Sequence, residues 1–147
     1  MSVVLREITR DNWHQAIRLK VAEGQEHFVA SNLYSIAESK FEPTFVPLAI
    51  YHGDTMVGFL MHGRDEHGHD WIIRLMIDRD HQGKGYGRAA MEQAIAKLTA
   101  RPDCTTIKIS YEPDNHQAER LYHSLGFAPT GEIEEGEIVA RLDVKMC

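Results

Sequence analysis

The chain has 147 residues, 43% hydrophobic and 26% charged, which fits one ordinary globular domain over residues 1–147. No apolar run reaches the about 20 residues of a membrane span, and no signal-peptide pattern opens the chain, so no membrane partner is expected. A net charge of −6 argues against nucleic acid as a partner and permits a cationic one, though it also serves solubility alone.

Residues 3–8 are β-prone, and Thr9-Arg10-Asp11-Asn12 supplies caps for a helix with Trp13, Ala16, Ile17 and Val21 on one face. Glu23-Gly24-Gln25-Glu26-His27 breaks that helix. A second helix is expected over residues 31–41, with Leu33, Ile36, Ala37 and Phe41 inward, Tyr34 off that face, and Pro43 as its stop. Residues 48–51 and 56–61 read as strands joined by a tight turn at His52-Gly53-Asp54-Thr55. The polar stretch after them holds His67 and His69, but no third ligand is spaced to complete a tetrahedron, and no metal is expected.

Residues 71–77 form a nearly continuous apolar run, the pattern of a strand buried on both faces. A charged bend leads into Gln82-Gly83-Lys84-Gly85-Tyr86-Gly87-Arg88, and then Met91, Ile95 and Leu98 repeat with helical spacing. A strand that runs through glycines into a helix gathers free N–H groups and the positive end of the helix dipole, which suits a phosphate. Lys84 and Arg88 add charge there. A Walker loop is excluded because Gly85 follows Lys84 where Ser or Thr is needed, and the glycine spacing does not match a dinucleotide fingerprint. Lys84-Gly85-Tyr86-Gly87 copies the start of an RNA-recognition strand, which keeps an RNA-binding module open as a second function class. The residues that follow, Arg88-Ala89-Ala90-Met91, are helix formers without aromatics.

Thr105 to Ser110 is the next strand, dense in β-branched residues. Asp114 or Asn115 then caps a helix with Ala118, Leu121, Tyr122 and Leu125 on one face, ended by Gly126 with Phe127 folded back over the last turn. A terminal hairpin over residues 128–144 closes around an acidic tip, Glu132, Glu134, Glu135 and Glu137. The two cysteines, Cys104 and Cys147, make no disulfide framework, so a reducing cytoplasm is the expected location.

Gln82-x-x-Gly85-x-Gly87 after Leu75-Met76-Ile77 resembles the acyl-CoA loop of the GNAT N-acetyltransferase superfamily. Asn115-x-x-Ala118-x-x-Leu121-Tyr122-x-x-x-Gly126-Phe127 resembles that family's second motif. Each of these residues has a bland explanation as cap, core or helix stop; their joint spacing is what carries the resemblance. It covers essentially the whole chain and implies an α/β fold, a mixed central sheet with splayed parallel strands flanked by helices. By resemblance, acetyl-CoA is the co-substrate and the backbone of Leu75, Met76 and Ile77 holds pantetheine and polarises the acetyl carbonyl. Gln82, Gly83, Lys84, Gly85, Tyr86, Gly87 and Arg88 hold the pyrophosphate, Asn115 bonds the pantetheine arm, and Tyr122 protonates the leaving thiolate. The strand offers Arg74, Met76 and Asp78 but no glutamate as base. Residues 20–41 resemble the diamine and spermidine/spermine acetyltransferases, which implies a small polycationic amine bound by Glu23, Glu26 and Tyr34. A protein or antibiotic amine is the alternative acceptor, and the family resemblance makes a homodimer possible.

Overall fold

The apolar runs read as strands assemble into a seven-stranded sheet in a computed structural model, which describes residues 2–144. Cys147 lies outside the described residues. In chain order the elements are β1 (Val4–Glu7), α1 (Trp13–Arg18), α2 (Asn32–Phe41), β2 (Val46–His52), β3 (Thr55–Arg64) and β4 (Asp70–Ile77). They continue with α3 (Tyr86–Thr99), β5 (Thr106–Tyr111), α4 (His116–Ser124), β6 (Ala128–Glu134) and β7 (Glu137–Asp143). The sheet runs β1-β2-β3-β4-β5-β7-β6 and is antiparallel at every pairing except β4 with β5. The mixed sheet with flanking helices is the α/β arrangement expected.

Helices cover both faces. Ile72, Ile107 and Ile109 pack with Met91, Ala94 and Leu98 of α3 and with Tyr122 and Phe127. On the other face, Phe59, Met61 and Met76 pack with Leu19, Ile36 and Phe45. Burial on both faces explains why β3 and β4 read as apolar runs without polar alternation.

The parallel pair is short. Asp70, Trp71 and Ile72 pair with Ile107, Lys108 and Ile109, and the ladder then ends. Just there β4 carries a bulge: Ile72 faces His62 and Arg74 faces Met61, so Ile73 is the extra residue. The bulge turns Ile73 and Arg74 toward the same face. Ile73 packs among the residues under α1 and α2, and the Arg74 guanidinium meets Glu38 of α2 at 3.0 Å.

The closed end of the split is pinned by charge. The Asp70 carboxylate is fully buried and accepts from Arg64 of β3 at 3.0 Å and from Arg101, before β5, at 3.1 Å. Asp103 pairs with the same Arg64.

Two expectations about the N-terminal helices are corrected. The first helix ends at Arg18, so Val21 is not helical. The backbone of Lys20 is drawn instead to the end of β4: its N–H donates to the Asp78 carboxylate (2.9 Å), and its C=O accepts from Arg79 (2.7 Å). In α2 the buried positions are Asn32 and Ser35, whereas Leu33 and Phe41 are 56% and 79% exposed and Ala37 is also exposed. Asn32 takes the inner face, where its amide gives the Ala16 C=O a second donor at 2.8 Å beside the Leu19 N–H that closes α1 at 3.3 Å.

Two stability predictions follow from the buried groups. Asp70→Asn leaves two guanidinium groups facing a neutral amide, and urea unfolding is expected to register a loss of about 2 kcal/mol. His62 is buried, and among the described residues neither ring nitrogen has a hydrogen-bond partner. Burial, aided by the charges of Lys97 and Arg101 and opposed by Asp70, lowers its pKa from 6.5 to about 4. Between those values the unfolded chain binds the proton and the fold does not, so stability falls as pH drops from 6.5 toward 4. His62→Leu is expected to flatten that acid limb in unfolding titrations at pH 7.5 and about 4.5.

Candidate active site

The split between β4 and β5 opens into a cleft of about 820 Å³. Its floor is the exposed edge of β4. Asp78 N–H bonds the C=O of Val57 on β3 (2.8 Å), and Ile77 lies opposite Gly58. Along an antiparallel strand successive residues turn their backbone groups to opposite sides. Met76 therefore shares the β3 side with Asp78, while Leu75 and Ile77 turn their N–H and C=O toward the cleft. Of the three residues whose backbone was expected to line it, Leu75 and Ile77 turn hydrogen-bonding groups toward the cleft, and those of Met76 turn toward β3.

One end of the cleft is the glycine loop. Gly83 and Gly85 take φ of +77° and +84°, and a Cβ on either would meet nothing in the protein within 4 Å. Gly85 is the N-cap of α3, and the first helical bond runs from Ala89 N–H to its C=O (3.1 Å). The N–H groups of Tyr86, Gly87 and Arg88 thus precede the ladder and are free for an anion. Gly87 makes only ordinary contacts, its missing Cβ lying 3.7 Å from Ile77 and 3.9 Å from Leu121.

The other loop residues divide by side chain. Tyr86 is buried, its hydroxyl 3.0 Å from His52 Nδ1, so it serves the core and only its backbone belongs to the loop. Arg88 donates to Ser124 of α4 at 2.7 Å, and Lys84 is exposed and outside the cleft lining. Gln82 turns inward: its Nε2 donates to Ile77 C=O (2.9 Å) and to Gln25 (3.0 Å). Because Lys84-Gly85-Tyr86-Gly87 opens a helix, the strand that the RNA reading required is absent.

The opposite wall comes from α4 and the last hairpin. Asn115 caps α4 by accepting Ala118 N–H at 3.2 Å, which leaves its amide nitrogen outside the cap. Gly126, at φ +102°, ends the helix, and Phe127 N–H returns to the C=O of Tyr122 (3.1 Å), as the spacing predicted. Tyr122 is 7% exposed, packs between Tyr111 and Phe127, and lines the cleft. Burial, together with the nearby Glu137 carboxylate and Tyr111, pushes its pKa well above the ordinary phenol value. Its hydroxyl therefore holds its proton throughout the neutral and mildly alkaline range, as an acid for a thiolate must.

The carboxylates of the cleft are only partly those expected. Glu134, Glu135 and Glu137 of the hairpin tip line it, and Glu137 accepts from the Ser110 hydroxyl at 2.8 Å. Glu38 lines it from α2, held by Arg74. Glu23 and Glu26 are exposed and outside the lining, Glu26 being engaged with Gly24 N–H at 2.9 Å. Tyr34 is 58% exposed on the outer side of α2. From the same segment Gln25 and Phe28 reach the cleft instead. No local pattern points to Glu38, whose partner is 36 residues away.

A mixed sheet split between parallel strands, with a glycine loop leading into a helix at the mouth, is the arrangement of an acyltransferase fold. The family assignment agrees: residues 5–127 match the acetyltransferase (GNAT) family, and the chain belongs to it. It is an acetyl-CoA-dependent N-acetyltransferase. Over 141 residues it is 29% identical to the spermine/spermidine N(1)-acetyltransferase of Bacillus subtilis (strain 168), covering 91% of this chain and 93% of that one. A probable spermine N(1)-acetyltransferase of Bacillus subtilis subsp. natto (strain BEST195) is also 29% identical over the same shares. The fold is shared with an aminoglycoside acetyltransferase in complex with coenzyme A (TM-score 0.80, 17% identity, 97% of this chain and 95% of that one). It is shared too with spermidine N-acetyltransferase from Vibrio cholerae in complex with CoA and spermine (TM-score 0.75, 17% identity, 95% and 93%). Among the described residues no helix is long and apolar enough to cross a membrane.

The cradle fits a diphosphate: free N–H groups, open space where Cβ atoms would project, and Arg88 nearby. Gly85→Asp is expected to weaken coenzyme A binding more than about tenfold in calorimetric titration, through negative charge placed in the cradle. Gly85→Asn, which tolerates the same backbone, is expected to lose much less. Equal losses would mean that bulk, not charge, is what the loop excludes.

Proposed function

We propose that the chain transfers acetyl from acetyl-CoA to a primary amine of a polyamine, such as spermine, spermidine or a diamine, by direct attack in a ternary complex. The observation that carries the acceptor is the acidic lining of the cleft on opposite walls, Glu38 on one and Glu134, Glu135 and Glu137 on the other. A flexible polycation needs spaced carboxylates with apolar wall between them, and Phe28, Phe45 and Trp71 supply the wall. Glu23 and Glu26, on the adjoining segment, add negative potential at the mouth. The similarity to spermine and spermidine acetyltransferases supports the same reading.

In this reading the cleft-facing backbone of Leu75 and Ile77 pairs with the pantetheine arm as an added strand would. An N–H of the same edge polarises the acetyl carbonyl, and being fixed in the sheet it needs no reorganisation as charge develops. The loop from Gly83 to Arg88 holds the pyrophosphate, and the Asn115 amide nitrogen bonds the arm. Tyr122 gives its proton to the departing sulfur. The amine must arrive neutral, and its proton passes to a carboxylate of the lining or to water.

Free amines have pKa values of about 10, so kcat/KM is expected to climb through the mildly alkaline range. With the pKa of Tyr122 raised, no descending limb is expected below about pH 10. Tyr122→Phe keeps the packing against Tyr111 and Phe127 and should lower kcat by roughly 100-fold with little change in melting temperature. An acceptor panel of spermine, spermidine, putrescine, an alanyl peptide and kanamycin tests the substrate. Spermine or spermidine should lead, and Glu38→Gln or Glu134→Gln with Glu135→Gln should raise KM for the amine more than for acetyl-CoA. If spermine is inert while the peptide or kanamycin reacts, the polyamine assignment is wrong and the transferase class stands.

A further inference from the structure

The segment between α1 and α2 does more than line the acceptor side of the cleft. It is tied to both walls of the split. On the β4 side, Lys20 exchanges hydrogen bonds with Asp78 and Arg79, at 2.9 and 2.7 Å. Further along, the Gln25 side-chain oxygen lies 3.0 Å from Gln82 Nε2. On the opposite side, His27 Nε2 meets the Asp114 carboxylate at 3.2 Å, next to the cap of α4. From the same segment, Gln25 and the residues just after His27, Phe28, Val29 and Ala30, line the cleft.

The Gln25–Gln82 contact is the informative one. Gln82 spends both donors of its amide: one on Gln25 and one on the C=O of Ile77, at 2.9 Å. Its orientation follows from its neighbours. A main-chain carbonyl only accepts, so the nitrogen of Gln82 must face Ile77. Gln25 must then present its oxygen to Gln82, and the same oxygen accepts Ala22 N–H at 3.3 Å. The chain of contacts thus runs without conflict from the β4 edge, through two side-chain amides, into the backbone of the acceptor segment. Ile77 C=O is one of the cleft-facing groups, and a carbonyl with two lone pairs can accept from Gln82 and from an incoming amide together.

We propose that Gln25 is a positioning residue that makes amine binding depend on coenzyme occupancy. The inference rests on the reading that the coenzyme arm pairs with Leu75 and Ile77. An arm seated there fixes Ile77 and Gln82, Gln82 holds Gln25, and Gln25 holds the wall against which the amine packs. In the empty cleft the same wall is tethered to an edge with fewer restraints, so the amine must order it by itself. The coupling is reciprocal by thermodynamic necessity: the amine tightens the coenzyme by the same factor.

The test is calorimetric, with the dead-end complex of free amine and coenzyme A so that no turnover intervenes. The amine is spermine or, if spermine is inert, the best acceptor of the panel above, which keeps the outcome independent of the polyamine assignment. The amine is titrated into the wild type with and without saturating coenzyme A. Coenzyme A is expected to tighten the amine by about fivefold or more. Gln25→Met, similar in size but without the oxygen acceptor, should bring that factor close to one and raise the KM of the amine, with coenzyme A affinity in the absence of amine unchanged within about twofold. Gln25→Glu keeps an acceptor for Gln82 and should restore the coupling. An uncoupled wild type overturns the proposal, and so does coupling that survives Gln25→Met. A Gln25→Met variant that weakens coenzyme A as much as it weakens the amine would place Gln25 in the coenzyme site instead. Failure of coenzyme A to bind the wild type would overturn the underlying reading of the β4 edge as well.

Discussion

The structure depends on one interrupted ladder. Two parallel strands that pair at Asp70, Trp71 and Ile72 and then separate leave backbone donors and acceptors of β4 without a strand partner in the middle of a sheet. Such groups are costly to bury unpaired, so a fold that keeps them needs something to satisfy them. Water can do so in the empty cleft. A ligand with amides at strand-like spacing does it better, and the pantetheine arm of acetyl-CoA is of that kind.

Other features hold the split open at one end and closed at the other. The buried Asp70 with Arg64 and Arg101 clamps the paired end. The bulge at Ile73 re-aims β4 as pairing stops and swings Arg74 under α2, where it fixes Glu38 beside the cleft. Beyond Ile77 the chain reverses into the glycine loop, so one strand delivers the edge, the anion cradle and the first turn of α3 in succession. Chemistry and fold are therefore hard to separate here: a change that re-zipped β4 to β5 would stabilise the sheet and abolish the site.

What the sequence disclosed follows the range of the interactions involved. The glycine loop, the Asn115 cap and the Gly126–Phe127 helix stop are local, set by backbone conformation within a few residues, and they appear in the structure where their spacing placed them. The order of strands and helices was legible for the same reason. Errors arose where distant residues outbid local pattern. Lys20 leaves the helical path because Asp78 and Arg79, 58 and 59 residues on, capture its backbone. Leu33 and Phe41 turn outward as Asn32 turns inward to bond the C=O of Ala16 at the end of α1. The Glu38–Arg74 and Glu137–Ser110 pairs were invisible because each joins two elements that only the sheet brings together. Gln82 belonged to a legible motif, yet its side chain points away from the anion cradle, which no spacing rule foretells.

We propose that acetyl-CoA lies on the edge of β4 that the split leaves bare. Amide hydrogen exchange, followed residue by residue with and without coenzyme A, measures this directly. In the free protein Leu75 and Ile77 should exchange faster than Met76, whose N–H is already paired with β3. Coenzyme A should slow Leu75 and Ile77 markedly and leave Met76 nearly unchanged. Tight binding of coenzyme A with no added protection at Leu75 and Ile77 would place the coenzyme elsewhere.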